Sequence, residues 1–315
     1  MGNVISIQSA REARAQHGSA HVLERAARDG VLTRLRRGAY ADAAEVAAVD
    51  ERSLHLARIE AARLAARSEP TFSHESAAAL HGIPIVGDWP DRVHLTVAPT
   101  GPRSTGPVVR SQRPLTEAEI VTREDGLRCT DLCRTAIDLA ATRSPLAGIV
   151  AVSHVRRAGV PLDELSDALD RCGAASGIRR ARLAVARSVA EAESVLEVLV
   201  VVRCRDLCFE PPELQRVVRA ADGRDYRVDF AWRSGRILGE ADGAVKYSDP
   251  AMLAGRDPRA VLLAEKRRED ALRAVADAFV RLDWSDAWSG RGLARRLAGA
   301  GVPRTSARCL GALTF

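Results

Sequence analysis

The chain has 315 residues, 46% of them hydrophobic and 28% charged, which is enough for two or three domains with buried cores and too apolar for a disordered protein. No apolar run approaches the roughly 20 residues that span a bilayer, and the opening MGNVISIQSAREARAQ lacks the charged-then-apolar order of a secretory signal, so a cytoplasmic protein with no membrane partner is expected. The formal charge of +6 favours a polyanionic partner, while the 4% of aromatic residues argue against a single-strand binder built on stacked bases.

Residues 1–50 read as a small DNA-binding domain. Ser19 is placed to cap a helix from His21 to Arg28, and Gly30 is a natural stop. VLTRLRRGAYA then alternates apolar and Arg positions as a strand does, with a turn at Gly38. A helix followed by a basic hairpin is the order of a winged helix. Arg25, Arg28, Arg34, Arg36 and Arg37 outnumber Glu24 and Asp29 in this stretch, and arginines so placed suit phosphate and groove contacts with DNA. So small an excess binds DNA weakly, so useful affinity requires a homodimer or help from the rest of the chain.

Residues 70–145 form a second segment. In TFSHESAAALHGIPI, Ser73 or His74 caps a helix that Gly82 ends and Pro84 prevents from continuing. RVHLTV alternates as a strand. His74, His81 and His94 have no acid or thiol at a ligand-like spacing and read as capping or core histidines. The pairs Cys129/Cys133 and Cys204/Cys208 are spaced to share a helix face, whereas zinc knuckles favour a two-residue gap. Residues 146–190 are Ala- and Arg-rich, with a helix expected from Leu162 to Asp170, and serve as a helical connector. A further domain at 191–290 and a tail at 291–315 complete the chain. The class is therefore α/β (α+β) and multidomain.

The most informative stretch is DYRVDFAWRSGRILGEADGAVK, residues 225–246. Strand-forming runs Tyr226–Trp232 and Arg236–Glu240 flank Ser234-Gly235, a two-residue hairpin signal. With that pair as the loop, Arg233 faces Arg236 and Asp229 lies directly opposite Glu240. Opposed side chains sit roughly 5 Å apart at Cβ, where like charges repel, so the pair reads as a site for a divalent cation. The same register puts Arg227 opposite Asp242 and gathers Arg227, Asp229, Glu240 and Asp242 on one face. Hard ions such as Mg²⁺ or Mn²⁺ take such carboxylates, with Asp242 a further candidate ligand. A solvated acidic face with Asp242 paired to Arg227 is the alternative. Glu197 lies in the apolar run VLEVLVVV, where a charge is costly unless partnered. The other possibility for Glu197 is a helix that turns it outward beside Glu193.

These residues carry a resemblance. AESVLEVLVVV, RVDFAWRSGRILGEADGAVKY and LLAEKRREDALRAVADAFVRLDW, within Glu191–Trp288, resemble the PD-(D/E)xK restriction-endonuclease-like superfamily, and within it the branch similar to very-short-patch-repair endonucleases. The resemblance implies metal ligation by Asp229 and Glu240, a helix acid at Glu197, and phosphate or water positioning by Gln215. Asp242 stands where the motif has Lys. Lys246, one of the chain's two lysines, is then the candidate to support the nucleophile. LTRLRRGAYAD, SHESAAALHG and RTAIDLA resemble AbiEi-family antitoxins, which implies a nucleotidyltransferase-type toxin as partner. Two functions stay open: a Mg²⁺-dependent DNA endonuclease guided by a winged helix, or an antitoxin or transcriptional regulator whose nuclease-fold domain does not turn over.

Overall fold

The computed structural model describes residues 5–17, 19–98, 104, 106–242 and 258–305. The chain is of the α+β class, with three sheets among the described residues, and divides into two compact units, Met1–Val185 and Ala186–Phe315.

The first unit begins with β1 (Ile7–Ser9), α1 (Ala10–His17), α2 (His21–Arg28), β2 (Leu32–Arg36) and β3 (Ala39–Asp42). The strands form an antiparallel sheet of order β1-β3-β2. Alternation in LTRLR and AYAD sends Leu32 and Tyr40 to one face, where they bury Leu23 of α2 against alanines of both helices. Ala41, on the opposite face, packs with Ile5 and with Ala57 from α4 (Glu51–Leu64), which follows the short α3 (Ala43–Ala47). Asp42 and Asp50 cap α3 and α4 by accepting backbone N–H bonds.

A five-stranded sheet follows, built from β4 (Thr71–Phe72), β5 (Val93–Thr96), β6 (Val108–Ser111), β7 (Ile120–Thr122) and β8 (Arg128–Thr130) in the order β6-β5-β4-β8-β7. Helix α5 (His74–His81) leaves β4 and is closed by Gly82 at φ 76, the left-handed stop read from the sequence. Phe72, Ala79, Val93 and Cys129 form the core between this sheet and its helices. Helices α6 (Leu132–Thr142), α7 (Pro145–Arg157), α8 (Leu162–Arg171) and α9 (Ile178–Arg187) come next. Gly177, at φ 80, lets the chain pass α6, because a Cβ there would stand 2.1 Å from the Ala141 carbonyl oxygen.

The second unit contains α10 (Val195–Asp206), β9 (Glu213–Arg219), β10 (Asp225–Trp232), β11 (Ile237–Asp242), α11 (Pro258–Arg273), β12 (Ala278–Asp283), α12 (Trp284–Ser289) and α13 (Arg291–Gly299). Strands β9, β10 and β11 form an antiparallel meander, and β12 adds in parallel to β11 on the far side. A parallel neighbour needs a crossover, and α11 lies within it. Leu272 of α11 is buried on Val228, Ala231 and Leu238 of the sheet. Helix α10 is buried nearly all round, which is why VLEVLVVV has no polar stripe. The stretch after α13 is tied down as far as Thr305: Glu210 N–H donates to Pro303 O, Thr305 N–H donates to Cys208 O, and the Arg304 guanidinium lies 4.4 Å from the Phe209 ring centre. Among the described residues no helix is long and apolar enough to cross a membrane.

Candidate active site

The β10–β11 hairpin pairs Trp232 with Ile237, Ala231 with Leu238 and Phe230 with Gly239. This is the register expected from the sequence, and the ladder ends one step short of Asp229 and Glu240. The turn differs. It holds four residues rather than two, with Arg233, Ser234 and Gly235 at φ 49, 56 and 89 and a single Arg236 N–H to Arg233 O bond. Opening the Arg233/Arg236 pair lengthens the loop by one residue on each side, so the register survives. Gly239 permits the pairing: a Cβ there would meet Val280 Cγ2 at 3.0 Å and Trp232 Cζ3 at 3.1 Å.

At Asp229 the two strands part. Strand β10 remains paired with β9 while β11 remains paired with β12 through Asp242, leaving a fork between them. Asp229 bridges it, its Oδ2 accepting the Ala241 N–H at 2.9 Å. Side-chain alternation also slips here. Arg224 and Tyr226, of the opposite parity, share a cavity of about 470 Å³ with Asp229 and Glu240. Arg227, expected on the carboxylate face, instead pairs with Glu193 at 2.9 Å. At the same level Gln215 of β9 adopts φ 54, and the β9–β10 ladder keeps one register from Val228–Arg216 to Phe230–Leu214 while leaving Asp229 unpaired.

Glu197 neither faces solvent nor sits in the cavity. It is the third residue of α10 and forms a capping box: its N–H donates to Ser194 Oγ, Ser194 Oγ–H donates to Glu197 Oε1 at 2.7 Å, and Glu193 N–H donates to Oε2 at 2.9 Å. The signal for it is legible in Ser194-x-x-Glu197. The same Oε2 accepts Gln215 Nε2 at 2.9 Å, and Gln215 Nε2 lies 3.5 Å from Asp229 Oδ1. A chain of contacts therefore runs from the start of α10 through Gln215 to the fork, with Glu197 as its anchor.

The remaining cavity wall comes from α11, as Ala264, Glu265 and Arg268. Arg268 Nη2 lies 2.5 Å from Glu240 Oε1 and donates to Arg227 O at 2.8 Å. Glu265 and Arg268 carry no hairpin signal, and only the crossover brings them here. Asp242 is drawn away from the cavity by Arg281 of β12 at 3.6 Å, not by Arg227. Lys246 lies outside the described residues. Asp229 and Glu240 on one cavity are a donor set for an ion that keeps several waters and takes one or two carboxylates, as Mg²⁺ does. Among the described residues no group of three or more His, Cys, Asp or Glu converges to hold a metal ion.

In the first unit, Arg25, Arg28, Arg34 and Arg37 are exposed on α2 and the β2–β3 hairpin. Arg36 is half-buried; burial first, and then the charge of Arg110, lowers its pKa, and its Nε has no hydrogen-bond partner. It is the least suited of the five to meet a phosphate. His81 Nε2 bonds the Thr130 carbonyl at 2.7 Å, a core role. His94 Nδ1 lies 2.5 Å from Glu75 Oε2 and His74 lies 3.9 Å from Asp138, so acids do meet these histidines, through the fold rather than through sequence spacing. Cys129, Cys133 and Cys204 are buried free thiols whose pKa burial raises, but neither pair shares a helix face: Cys129 is on β8 and Cys133 on α6, and Cys208 lies past the end of α10 at φ 58.

No protein-family model matches this sequence, and no curated protein is significantly similar to it.

Proposed function

We propose that this protein binds DNA and that its second unit is a Mg²⁺-dependent, restriction-endonuclease-like domain that hydrolyses phosphodiester bonds. The observation that carries the reading is the fork at which Asp229 and Glu240 share one cavity, flanked by a helix whose capping acid reaches the fork through Gln215.

Asp229 and Glu240 would hold the ion, which when bound supplies an activated water and positive charge beside the phosphodiester. Gln215 keeps Asp229 turned toward the cavity, and Glu197 fixes Gln215. The Ala241 N–H holds the other oxygen of Asp229, so the carboxylate is set before any ligand arrives. Arg25, Arg28, Arg34 and Arg37 would bring the duplex to the protein through its phosphates.

A second reading has its own support. Asp242 stands where the motif has a cation and is engaged by Arg281, and Glu240 already has a cation in Arg268. These pairings fit an AbiEi-like antitoxin or regulator that binds DNA without cutting it, alongside a nucleotidyltransferase-type toxin. Incubating duplex and nicked DNA with the protein in Mg²⁺ or Mn²⁺ separates the two. Cutting that disappears in Asp229→Ala and Glu240→Ala supports the nuclease. A specific mobility shift without any nicking supports the regulator.

A further inference from the structure

The fork raises an electrostatic question: what neutralises Glu240 when no metal is bound. The answer is Arg268, which is remote from Glu240 in sequence and reaches the fork because α11 crosses over the sheet. One nitrogen, Nη2, meets both Glu240 Oε1 at 2.5 Å and the Arg227 carbonyl at 2.8 Å, so it joins the two strands where their ladder is open. The guanidinium centre stands 5.7 Å from the Tyr226 ring centre, on the wall of the same cavity. A guanidinium has five N–H donors in a planar fork suited to phosphate. Both contacts use Nη2, which leaves the donors on Nε and Nη1 for a ligand. A guanidinium does not lose its proton in a protein, so the group stays cationic beside Glu240, Asp229 and Glu265.

The position matters because, of the two cations that line the cavity among the described residues, Arg224 and Arg268, it is Arg268 that pairs with a carboxylate of the fork. The motif's Lys is replaced by Asp242, which is held by Arg281, and the other side chains on the cavity wall are Arg224, Tyr226, Ala264 and three carboxylates. We infer that Arg268 is the fork's own cation: it pairs with Glu240 in the metal-free protein, yields that carboxylate to a divalent ion, and then holds a non-bridging oxygen of the phosphodiester. This role rests on the nuclease reading above and supplies the cation that its motif lacks. Displacement makes the metal and Arg268 competitors for one carboxylate, while phosphate binding makes them partners in turnover. A residue with a purely structural role would not produce that opposition.

The test uses the full chain, with Mn²⁺ affinity read from the paramagnetic resonance of the free ion and single-turnover cleavage of duplex DNA read beside it. In Arg268→Gln, Mn²⁺ is expected to bind about tenfold more tightly, since a charge 2.5 Å from a ligand oxygen is removed, while cleavage at saturating metal slows by at least about tenfold. Arg268→Lys, which keeps the charge without the planar fork, is expected to fall between the two in both measurements. Asp229→Ala controls for the site by losing both metal and cleavage. If Arg268→Gln binds Mn²⁺ and cleaves as the unmodified chain does while Asp229→Ala loses both, the role given to Arg268 is overturned and the nuclease reading stands. If the unmodified chain shows no Mn²⁺ binding that depends on Asp229, the nuclease reading fails and the role of Arg268 falls with it.

Discussion

His55 makes the first unit sensitive to mild acid. It lies fully buried on α4, with Nδ1 2.9 Å from the Pro90 carbonyl oxygen and Nε2 3.0 Å from Ser76 Oγ. The carbonyl can only accept, so Nδ1 carries the proton. Ser76 Oγ already accepts the His94 N–H, so its own hydrogen points at Nε2. Protonating Nε2 would set two donors against each other in a buried site. Burial, opposed by the bond to Pro90, pushes the pKa from 6.5 to about 4. The sign follows from proton counting: between those values the unfolded chain binds a proton that the native site refuses, so stability is complete above pH 6.5 and is lost as pH falls toward 4. At 1.36 kcal/mol per pKa unit, about 2 to 3 kcal/mol should disappear between about pH 7 and about pH 4.5. Urea unfolding at both pH values, on the unmodified chain and His55→Gln, measures it. The variant should be less stable at neutral pH but lose less on acidification. At Glu75 burial opposes the charge, but His94 prevails and holds the pKa at about 2, so its own window opens only below its ordinary 4.5 and does not overlap. Equal losses in variant and unmodified chain over this range would refute the reasoning.

Three further outcomes are expected. Gly239→Ala should cost about 1–3 kcal/mol by overpacking, because the new methyl meets a Trp232 ring that is itself buried; urea unfolding measures it. Ser194→Ala should cost about 0.5–2 kcal/mol in the same assay by removing the cap of α10, and by freeing Glu197 it should lower Mn²⁺ affinity at the fork several-fold. Replacing Arg25 and Arg28 together by Ala should reduce the salt dependence of DNA binding by about 0.9 in log–log slope for each phosphate that is no longer neutralised. An unchanged slope would place the DNA elsewhere.

How much of this is legible in the sequence depends on how far apart the interacting residues lie. The register of the hairpin that carries Asp229 and Glu240 is legible as far as Phe230–Gly239 because strand alternation and a nearby Gly determine it locally, and it tolerates a turn of a different length. The helices at His21–Arg28 and His74–His81 are legible from Gly30 and Gly82, since left-handed stops are also local; Ala20 rather than Ser19 is the N-cap residue of the first, and Ser19 accepts the His21 N–H from one residue further out. Arg227 falls elsewhere than alternation predicts because the β9–β10 ladder opens at Asp229 and Gln215, and no residue type announces the Gln215 φ of 54. Arg268 and Glu265 are invisible as site residues, since their place depends on where a crossover helix lands. Glu197 stands out for the correct reason, a charge in an apolar run, but its role as a cap escapes a reading that overlooks Ser194 three residues earlier. Strand β1, paired to β3, is likewise hidden because three residues are too few to show a period.

Whether the Asp229–Glu240 fork is a metal-dependent phosphodiesterase centre is tested most directly by cleavage of duplex DNA by the purified full-length chain, with Mg²⁺ and with chelator. Beside it stands Asp229→Asn, which keeps the side-chain shape at the fork but removes the charge. Cutting that requires Mg²⁺ and vanishes in Asp229→Asn is the expected result. No cutting by the unmodified chain, or equal cutting by both, would contradict it.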